Sequence, residues 1–391
     1  MVKKISNYIL TLSFLTFISL FAIVALLDHD KDSSALEGKK YEQKPVFSLD
    51  GLIDRTFLKS FETYFSDQFP LRDNWIETNN YISTHLFRNN LIKGVYTGDS
   101  DYLISVVNST AEDKVLNQSI NKINDFAATL KPLDIPIYFA LVPNKSTMME
   151  EKLPKHIESY ANEYSDSFIA GLSNQIHSLD LRKTLLPHLQ EENMYFYTDH
   201  HWKPKAAFYA YQEIINTLNE KDKSIGVPLK ISDFNWQEDQ TPFYGSEARK
   251  VTKLNVNQYD TITIVTKKDE EAKIDIRYGG ISGRKLYDYD YLNDQETYTN
   301  RYAAYLSGDK SEIVMKNPSV KNGKRVLIMK DSYANPMIQF FTNHFEEVRV
   351  LDLRHYNRMS VKEYIAKHNI HYALFVHNIN SISTTPSLFE F

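Results

Sequence analysis

Three short apolar runs constrain this chain most: Ile135 to Val142, Arg325 to Met329 and Tyr372 to Val376. Each reads as a buried strand, and Pro143 ends the first. Helical periods alternate with them. Ala111 to Leu130 repeats apolar residues at Val115, Leu116, Ile120, Ile123 and Phe126. Part of Ile157 to Ile176, then Pro204 to Leu218, Met337 to Phe345 and Val361 to Lys367, read as further helices, with short strands at Ser178 to Leu181 and Val348 to Leu351. Strands alternating with helices imply a parallel, doubly wound sheet. Such a sheet carries its site at the carboxyl ends of its strands.

Two segments depart from this rhythm. An apolar run from Ile9 to Leu27, behind Lys3 and Lys4, nearly meets the roughly 20 residues a membrane span needs. The flanking lysines put the N-terminus in the cytoplasm. No small-x-small cleavage site follows Leu27, so an uncleaved anchor is favoured over a signal peptide. Residues 1–28 are thus read as an anchor and 29–50 as a polar, flexible tether. From Ile231 to about Val314, alternating stretches such as Thr261 to Val265 and Lys273 to Arg277 read as antiparallel strands, a β-rich insertion (231–314) within a main domain of 51–391. In the remaining stretch, Phe57 to Arg88 reads as two helices separated at Pro70. Gly94 to Ile104 reads as a hairpin around a Gly-Asp turn.

Chemistry concentrates at two places. Tyr197-Thr198-Asp199-His200-His201-Trp202-Lys203-Pro204 follows an aromatic run, Met194 to Tyr197, that reads as a strand end. Pro204 opens the next helix. On an extended connection, Asp199 and His201 point to the same side. They suit two thirds of a triad, with His201 as general base and Asp199 holding its charge. The chain has no cysteine, so the nucleophile is Ser or Thr. Ser332 lies just after the Arg325–Met329 strand and before a helix, where its own N–H and the first helical amides are placed to stabilise an oxyanion. Alone, Asp331 and Ser332 read as an N-cap pair. Beside an Asp-x-His turn in the same layer, the catalytic reading is favoured. Asp199, His200 and His201 are also candidate metal ligands, but adjacent histidines usually point apart and no second cluster accompanies them. Metal is therefore ranked below the triad, and no cofactor is expected.

A net charge of −5 gives no basic footprint for nucleic acid. The absence of cysteine excludes disulfides and thiolate sites and fits a location outside the cytoplasm. The 26 Tyr, 22 Phe and 3 Trp suit either carbohydrate contact or an aromatic core.

Asp199-His200-His201-Trp202 is the signature of the DHHW protein family, which resembles the alginate O-acetyltransferase type of SGNH-hydrolase-like proteins. Other segments resemble the family in order: Asp67-Gln68-Phe69-Pro70-Leu71-Arg72, Val142-Pro143-Asn144-Lys145 with Leu153-Pro154, Phe243-Tyr244-Gly245-Ser246, Lys330-Asp331-Ser332-Tyr333-Ala334-Asn335, and Asp352-Leu353-Arg354-His355-Tyr356. The resemblance implies Ser332 as nucleophile, His201 as base and Asp199 as its partner. One position departs: SGNH enzymes usually have Gly-Asp-Ser, and here Lys330 replaces the glycine. The resemblance implies separate oxyanion donors, for which Asn144 and Asn378 are candidates, with loop capping as their plain reading. Arg354 is a candidate for an acid group or a sugar hydroxyl, or else a structural ion pair. Tyr333, Arg354, His355, Tyr356 and the tyrosines from Tyr287 to Tyr305 are candidates for an acceptor groove.

The expected architecture is α/β: a three-layer SGNH-hydrolase-like (flavodoxin-like) parallel sheet with a β-rich insertion and an N-terminal membrane helix. The expected activity is O-acyl transfer, of acetyl above all, to hydroxyls of a cell-wall or secreted polysaccharide through an acyl-serine. A multi-pass membrane acyltransferase is the implied partner and acyl source, and a bacterial cell membrane with the domain outside is the implied location. A carbohydrate acetylesterase and a non-catalytic polysaccharide-binding or assembly protein are the alternatives.

Overall fold

In the computed structural model, residues 2–98, 100–107, 111–192, 194–268, 274–385 and 387–391 are described. They form two units: residues 1–89 with 249–255, and 90–248 with 256–391.

The first unit begins with helix α1 (Val2–Leu27). Its stretch Asn7–Ala25 is long and apolar enough to cross a membrane. Side chains of residues 1–6 lie outside the described set, so the two lysines are known only from sequence. Strands β1 (Ser33–Ser34) and β2 (Lys39–Lys40) pair antiparallel, and helices α2 (Leu49–Ile53), α3 (Thr56–Asp67) and α4 (Arg72–His85) follow. Pro70 falls between α3 and α4, as its missing N–H requires.

The expected flexible tether is corrected here. Residues 31–42 are tied down by the Asp-Gln-Phe-Pro-x-Arg element. Lys39 Nζ reaches Asp67 at 2.7 Å, and the Glu42 N–H donates to the other Asp67 oxygen at 3.1 Å. The Lys31 N–H donates to Gln68 Oε1 at 2.9 Å. Arg72 grips Glu37 through two nitrogens, at 2.9 and 3.1 Å. A polar composition read as a solvated linker is instead a set of partners for one helix end.

The second unit opens with a small sheet of β3 (Leu91–Ile92), β4 (Val95–Tyr96) and β5 (Ile104–Ser105). β4 and β5 pair antiparallel across the expected Gly94–Ile104 hairpin, whose Asp99 lies outside the described residues, and a second, tighter turn at Gly94, with φ +74°, joins β3 to β4. Then come α5 (Ala111–Leu130), β6 (Ile137–Val142), α6 (Lys145–Met148), α7 (Ala161–Gly171), β7 (Ile176–Asp180), α8 (Leu181–Leu185) and α9 (Pro204–Lys221). β8 (Phe234–Glu238), α10 (Ser246–Val251), β9 (Thr263–Lys267), β10 (Asp275–Tyr278), α11 (Tyr289–Asn293) and β11 (Glu312–Lys316) follow. The chain ends with β12 (Arg325–Lys330), α12 (Ile338–Phe341), β13 (Glu347–Leu351), α13 (Val361–Lys367), β14 (Tyr372–Asn378) and α14 (Ile379–Thr384).

Seven strands form the main sheet, in the order β10-β11-β13-β12-β14-β6-β7. The five from β13 to β7 are parallel, while β11 and β10 add antiparallel at one edge. Alternation sends successive side chains to opposite faces. On β6, Tyr138, Ala140 and Val142 enter one core, and Ile137, Phe139 and Leu141 the other. The first core is covered by α9 and α12, the second by α5, α7, α13 and α14. Both faces are covered, so the central strands β6, β12 and β14 are apolar along most of their length, whereas the edge strand β7 carries exposed His177 and Ser178. Each fully buried Leu, Ile or Phe contributes about 1.5–3 kcal/mol. From β12 the chain passes to β13 on one side and then crosses back to β14 on the other, which makes the carboxyl ends of β12 and β14 a switch point.

The 231–314 region is less strand-rich than its alternation implies. Among the described residues β8 and β9 pair only with each other, whereas β10 and β11 extend the main sheet. Lys273, at the start of one expected strand, lies outside the described residues.

Candidate active site

β12 ends at Lys330, and its last residues leave Ser332 at the switch point. Asp331 caps the turn that follows: its Oδ1 accepts the Tyr333 N–H at 3.0 Å and its Oδ2 the Asn378 N–H at 2.7 Å. Capping is therefore done by Asp331, and the Ser332 hydroxyl is spent elsewhere. Ser332 Oγ lies 2.7 Å from His201 Nε2. His201 Nδ1 lies 2.6 Å from Asp199 Oδ1, which also accepts the His201 backbone N–H at 3.1 Å. With the Nδ1 proton donated to Asp199, Nε2 carries the lone pair that accepts the serine proton.

Asp199 and His201 are both buried. Burial by itself raises the Asp199 carboxyl. The charges of His201 and His200, and hydrogen bonds from His201 and the Ser246 N–H, outweigh it and hold the group well below the usual carboxylate range. It stays ionised wherever the fold persists near neutrality.

The loop carrying these residues is not a strand end, which corrects the sequence reading. Residues 194–203 fold back on themselves: Tyr195 and Trp202 form an antiparallel bridge, closed by the Lys203 N–H to Met194 O at 2.9 Å. Asp260, itself buried, pins the loop by accepting from the Tyr197 N–H, the Thr198 N–H and the Thr198 hydroxyl at 2.8, 2.7 and 2.5 Å. Lys145 Nζ donates to the carbonyls of Phe196 and Tyr197 at 3.1 and 3.3 Å and forms a buried ion pair with Glu247. The Glu247 and Ala248 N–H groups in turn hold Thr198 O. Burial raises the Glu247 carboxyl, against the opposing pull of Lys145.

Three residues outside the sequence-derived triad shape it. The Tyr302 ring lies flat on the His201 ring, with centroids 3.6 Å apart at 2°, and its hydroxyl donates to Ser332 O at 2.8 Å. Burial pushes that phenol well above its ordinary value, so it remains a donor. Gly245 packs so tightly that a Cβ there would sit 2.3 Å from Asp199 Cβ. The Ser246 N–H donates to Asp199 Oδ2 at 2.8 Å, and its hydroxyl lies 2.5 Å from His200 Nδ1. The Gly-Ser turn was visible in the sequence as a family element. Tyr302 lay within the Tyr287–Tyr305 range expected to line an acceptor groove, but nothing in the sequence placed its ring on His201.

The remaining candidates are mostly engaged elsewhere. Tyr333 is buried and donates its hydroxyl to His200 O at 2.5 Å, so it is not a groove residue. Tyr287, Tyr298, Tyr305 and Tyr356 are likewise buried, because packing takes their ring faces. Asn378 donates to Val142 O at 3.3 Å and caps α14. Arg354 pairs with Asp352 and Asp309. Lys330, at the glycine position, is fully buried and pairs with the same two carboxylates at 3.2 and 2.7 Å. Its side chain is thereby accounted for by charge pairing. Asn144 differs: its Oδ1 accepts from the Thr147 N–H and the Ser146 hydroxyl, while its buried Nδ2 has no partner among the described residues.

The adjacent histidines do not point apart. Their rings stand 3.7 Å apart, and Asp199, His200 and His201 offer three donor atoms within 4.8 Å of one another. Those donor atoms are engaged with Ser246, Asp199 and Ser332. Trp202 is packed beneath the turn, its indole N–H donating to Tyr333 O at 2.7 Å.

A family model described as "DHHW protein" matches residues 37–124 and 96–351. Among solved structures, Bacillus cereus PatB1 with a sulfonyl adduct is 27% identical, with 76% of this chain and 98% of that one covered and a TM-score of 0.65. A second structure of PatB1 gives 28% identity, 76% and 99% coverage and a TM-score of 0.63. A DHHW family protein from Eubacterium siraeum shares the fold at 20% identity, 75% and 93% coverage and a TM-score of 0.61. A comparison with curated proteins gives no match.

Proposed function

The chain belongs to the DHHW protein family, and from that membership we propose that it is a membrane-anchored, extracytoplasmic O-acyltransferase. It moves an acyl group, acetyl above all, to hydroxyls of a cell-wall or secreted polysaccharide. The observation that carries this reading is the relay from Ser332 Oγ through His201 to Asp199, at 2.7 and 2.6 Å. The sulfonyl adduct of the similar PatB1 supports it, since a sulfonyl group is captured by an activated nucleophile.

Ser332 Oγ attacks the acyl carbonyl while His201 Nε2 takes the hydroxyl proton. Asp199 stabilises the imidazolium that results. Collapse of the tetrahedral intermediate breaks the bond to the donor, which leaves with the proton from His201, and Ser332 holds the acyl group as an ester. An acceptor hydroxyl then gives its proton to His201 and attacks the ester, and the proton returns to Ser332. The Ser332 N–H and the unpartnered Asn144 Nδ2 are the oxyanion donors of this scheme. The acyl source is a donor outside the cytoplasm, supplied in this reading by a multi-pass membrane acyltransferase.

Ser332→Ala and His201→Ala are expected to remain folded, because neither side chain caps an element. Turnover of an activated acetyl ester should fall by roughly 10³-fold or more in each. Equal turnover in wild type and Ser332→Ala would leave a non-catalytic scaffold. With an oligosaccharide present, acetylated sugar should appear beside free acetate. Acetate as sole product with every donor would identify an esterase.

A further inference from the structure

Outside α1, the exposed large apolar side chains of the described residues are concentrated in one segment. Fifteen lie between Val46 and Leu91, against nine between positions 92 and 391. On α3, Leu58, Phe61 and Phe65 recur at helical spacing on one exposed face. This face continues into α1 through ring contacts. Phe65 meets Phe69 at 5.9 Å, Phe69 stacks on Phe21 at 5.8 Å, and Trp75 of α4 meets the same Phe21 at 5.8 Å.

Phe21 fixes the level of this face. It lies within the apolar stretch Asn7–Ala25, four residues before its end. At a rise of about 1.5 Å per residue, that is roughly 6 Å inside the hydrocarbon boundary if α1 spans the bilayer. Rings held against Phe21 are then held at the acyl–headgroup boundary, a depth that Trp favours. Charge defines the kind of surface. From 49 to 88 the chain carries six acidic residues against four Lys and Arg, so attraction to anionic headgroups is not what seats it.

We propose that α3 and α4 lie on the bilayer beside α1, with Leu58, Phe61, Phe65 and Trp75 immersed at the acyl–headgroup boundary of the leaflet from which α1 emerges. The occupant of this apolar face is lipid. The inference rests on the reading that α1 stays in the membrane, and the test separates the two. The chain has no cysteine, so single substitutions give unique spin labels on the full chain in phosphatidylcholine vesicles. Ile18→Cys reports on the span, Phe61→Cys and Phe65→Cys on the face, and Thr63→Cys on the opposite side of α3. Labels at 61 and 65 should collide more with oxygen than with a water-soluble nickel complex, and the label at 63 the reverse. Brominated lipid should quench wild-type tryptophan emission more than that of Trp75→Phe, a readout that needs no label. A deep label at 18 with wet labels at 61 and 65 overturns the proposal and leaves the anchor standing. Shielding of 61 and 65 that appears only with other membrane proteins present also overturns it, in favour of a protein partner. A wet label at 18 removes the anchor, and the inference with it.

Discussion

Asp199 spends one carboxylate on three hydrogens: one oxygen takes the ring and backbone N–H groups of His201, and the other takes the Ser246 N–H. Such saturation holds an imidazole in one tautomer. It also leaves no space behind the carboxylate, where Gly245 passes. Gly245→Ala is therefore expected to displace Asp199 rather than unfold the chain. Ester turnover should drop by more than tenfold with a melting temperature within a few degrees of wild type, checked by kinetics and calorimetry on the same sample. Unchanged kinetics would mean that the turn relaxes without moving Asp199. At this scale the sequence was legible where chemistry is local. Asp199 and His201 are two apart, and Ser332 announces itself by following an apolar strand. The place of Tyr302 was only coarsely legible, as one of several groove candidates, because its contact with His201 spans about a hundred positions and its residue type is common in this chain.

Among the elements, the loop 194–203 shows how a correct period misleads. Tyr195 and Phe196 do alternate between two cores, as strand residues would. Among the described residues no strand of the sheet pairs with them, and the loop closes on its own Trp202 instead. The rigidity a strand would give comes from the start of α6 and the start of α10, joined by the buried Lys145–Glu247 pair. Lys145→Met leaves the Glu247 carboxyl buried without its counter-charge, which should cost about 3–5 kcal/mol by chemical denaturation. Replacing both partners, as Lys145→Met with Glu247→Leu, should restore much of that stability. Turnover should recover less, since the carbonyls of Phe196 and Tyr197 still lack the donor that positions them. Full recovery of turnover would assign the pair to stability alone. The tether was misread for a related reason: its charges have partners, and the partners sit on Asp67, Gln68 and Arg72, some 30 residues on.

At the scale of the whole molecule, the parallel sheet was the most legible feature, because its central strands, buried on both faces, are near-continuous apolar runs. The two antiparallel strands at its edge were less so: β10 carries Asp275 and Arg277 between its apolar residues and reads like any exposed hairpin strand. The reading of α1 as an anchor makes a claim about the entire chain. Carbonate washing should leave the protein in the membrane pellet, and protease added to intact spheroplasts should digest all but the N-terminal segment. Full protection would place the chain on the other side.

The excursion between α9 and β12 has a consequence for anyone seeking a smaller version of this protein. Gly245, Ser246, Asp260 and Tyr302 all come from it, and each touches the 197–201 loop or Ser332. Trimming it would spare the five parallel strands and yield a tidy, soluble-looking scaffold. That scaffold would keep the serine and the histidine but lose the Ser246, Asp260 and Tyr302 contacts that help hold them facing each other. For recombination between relatives, the permissible cut points therefore lie outside the stretch from the Asp-His-His-Trp loop to the serine, which is inherited as one block or not at all.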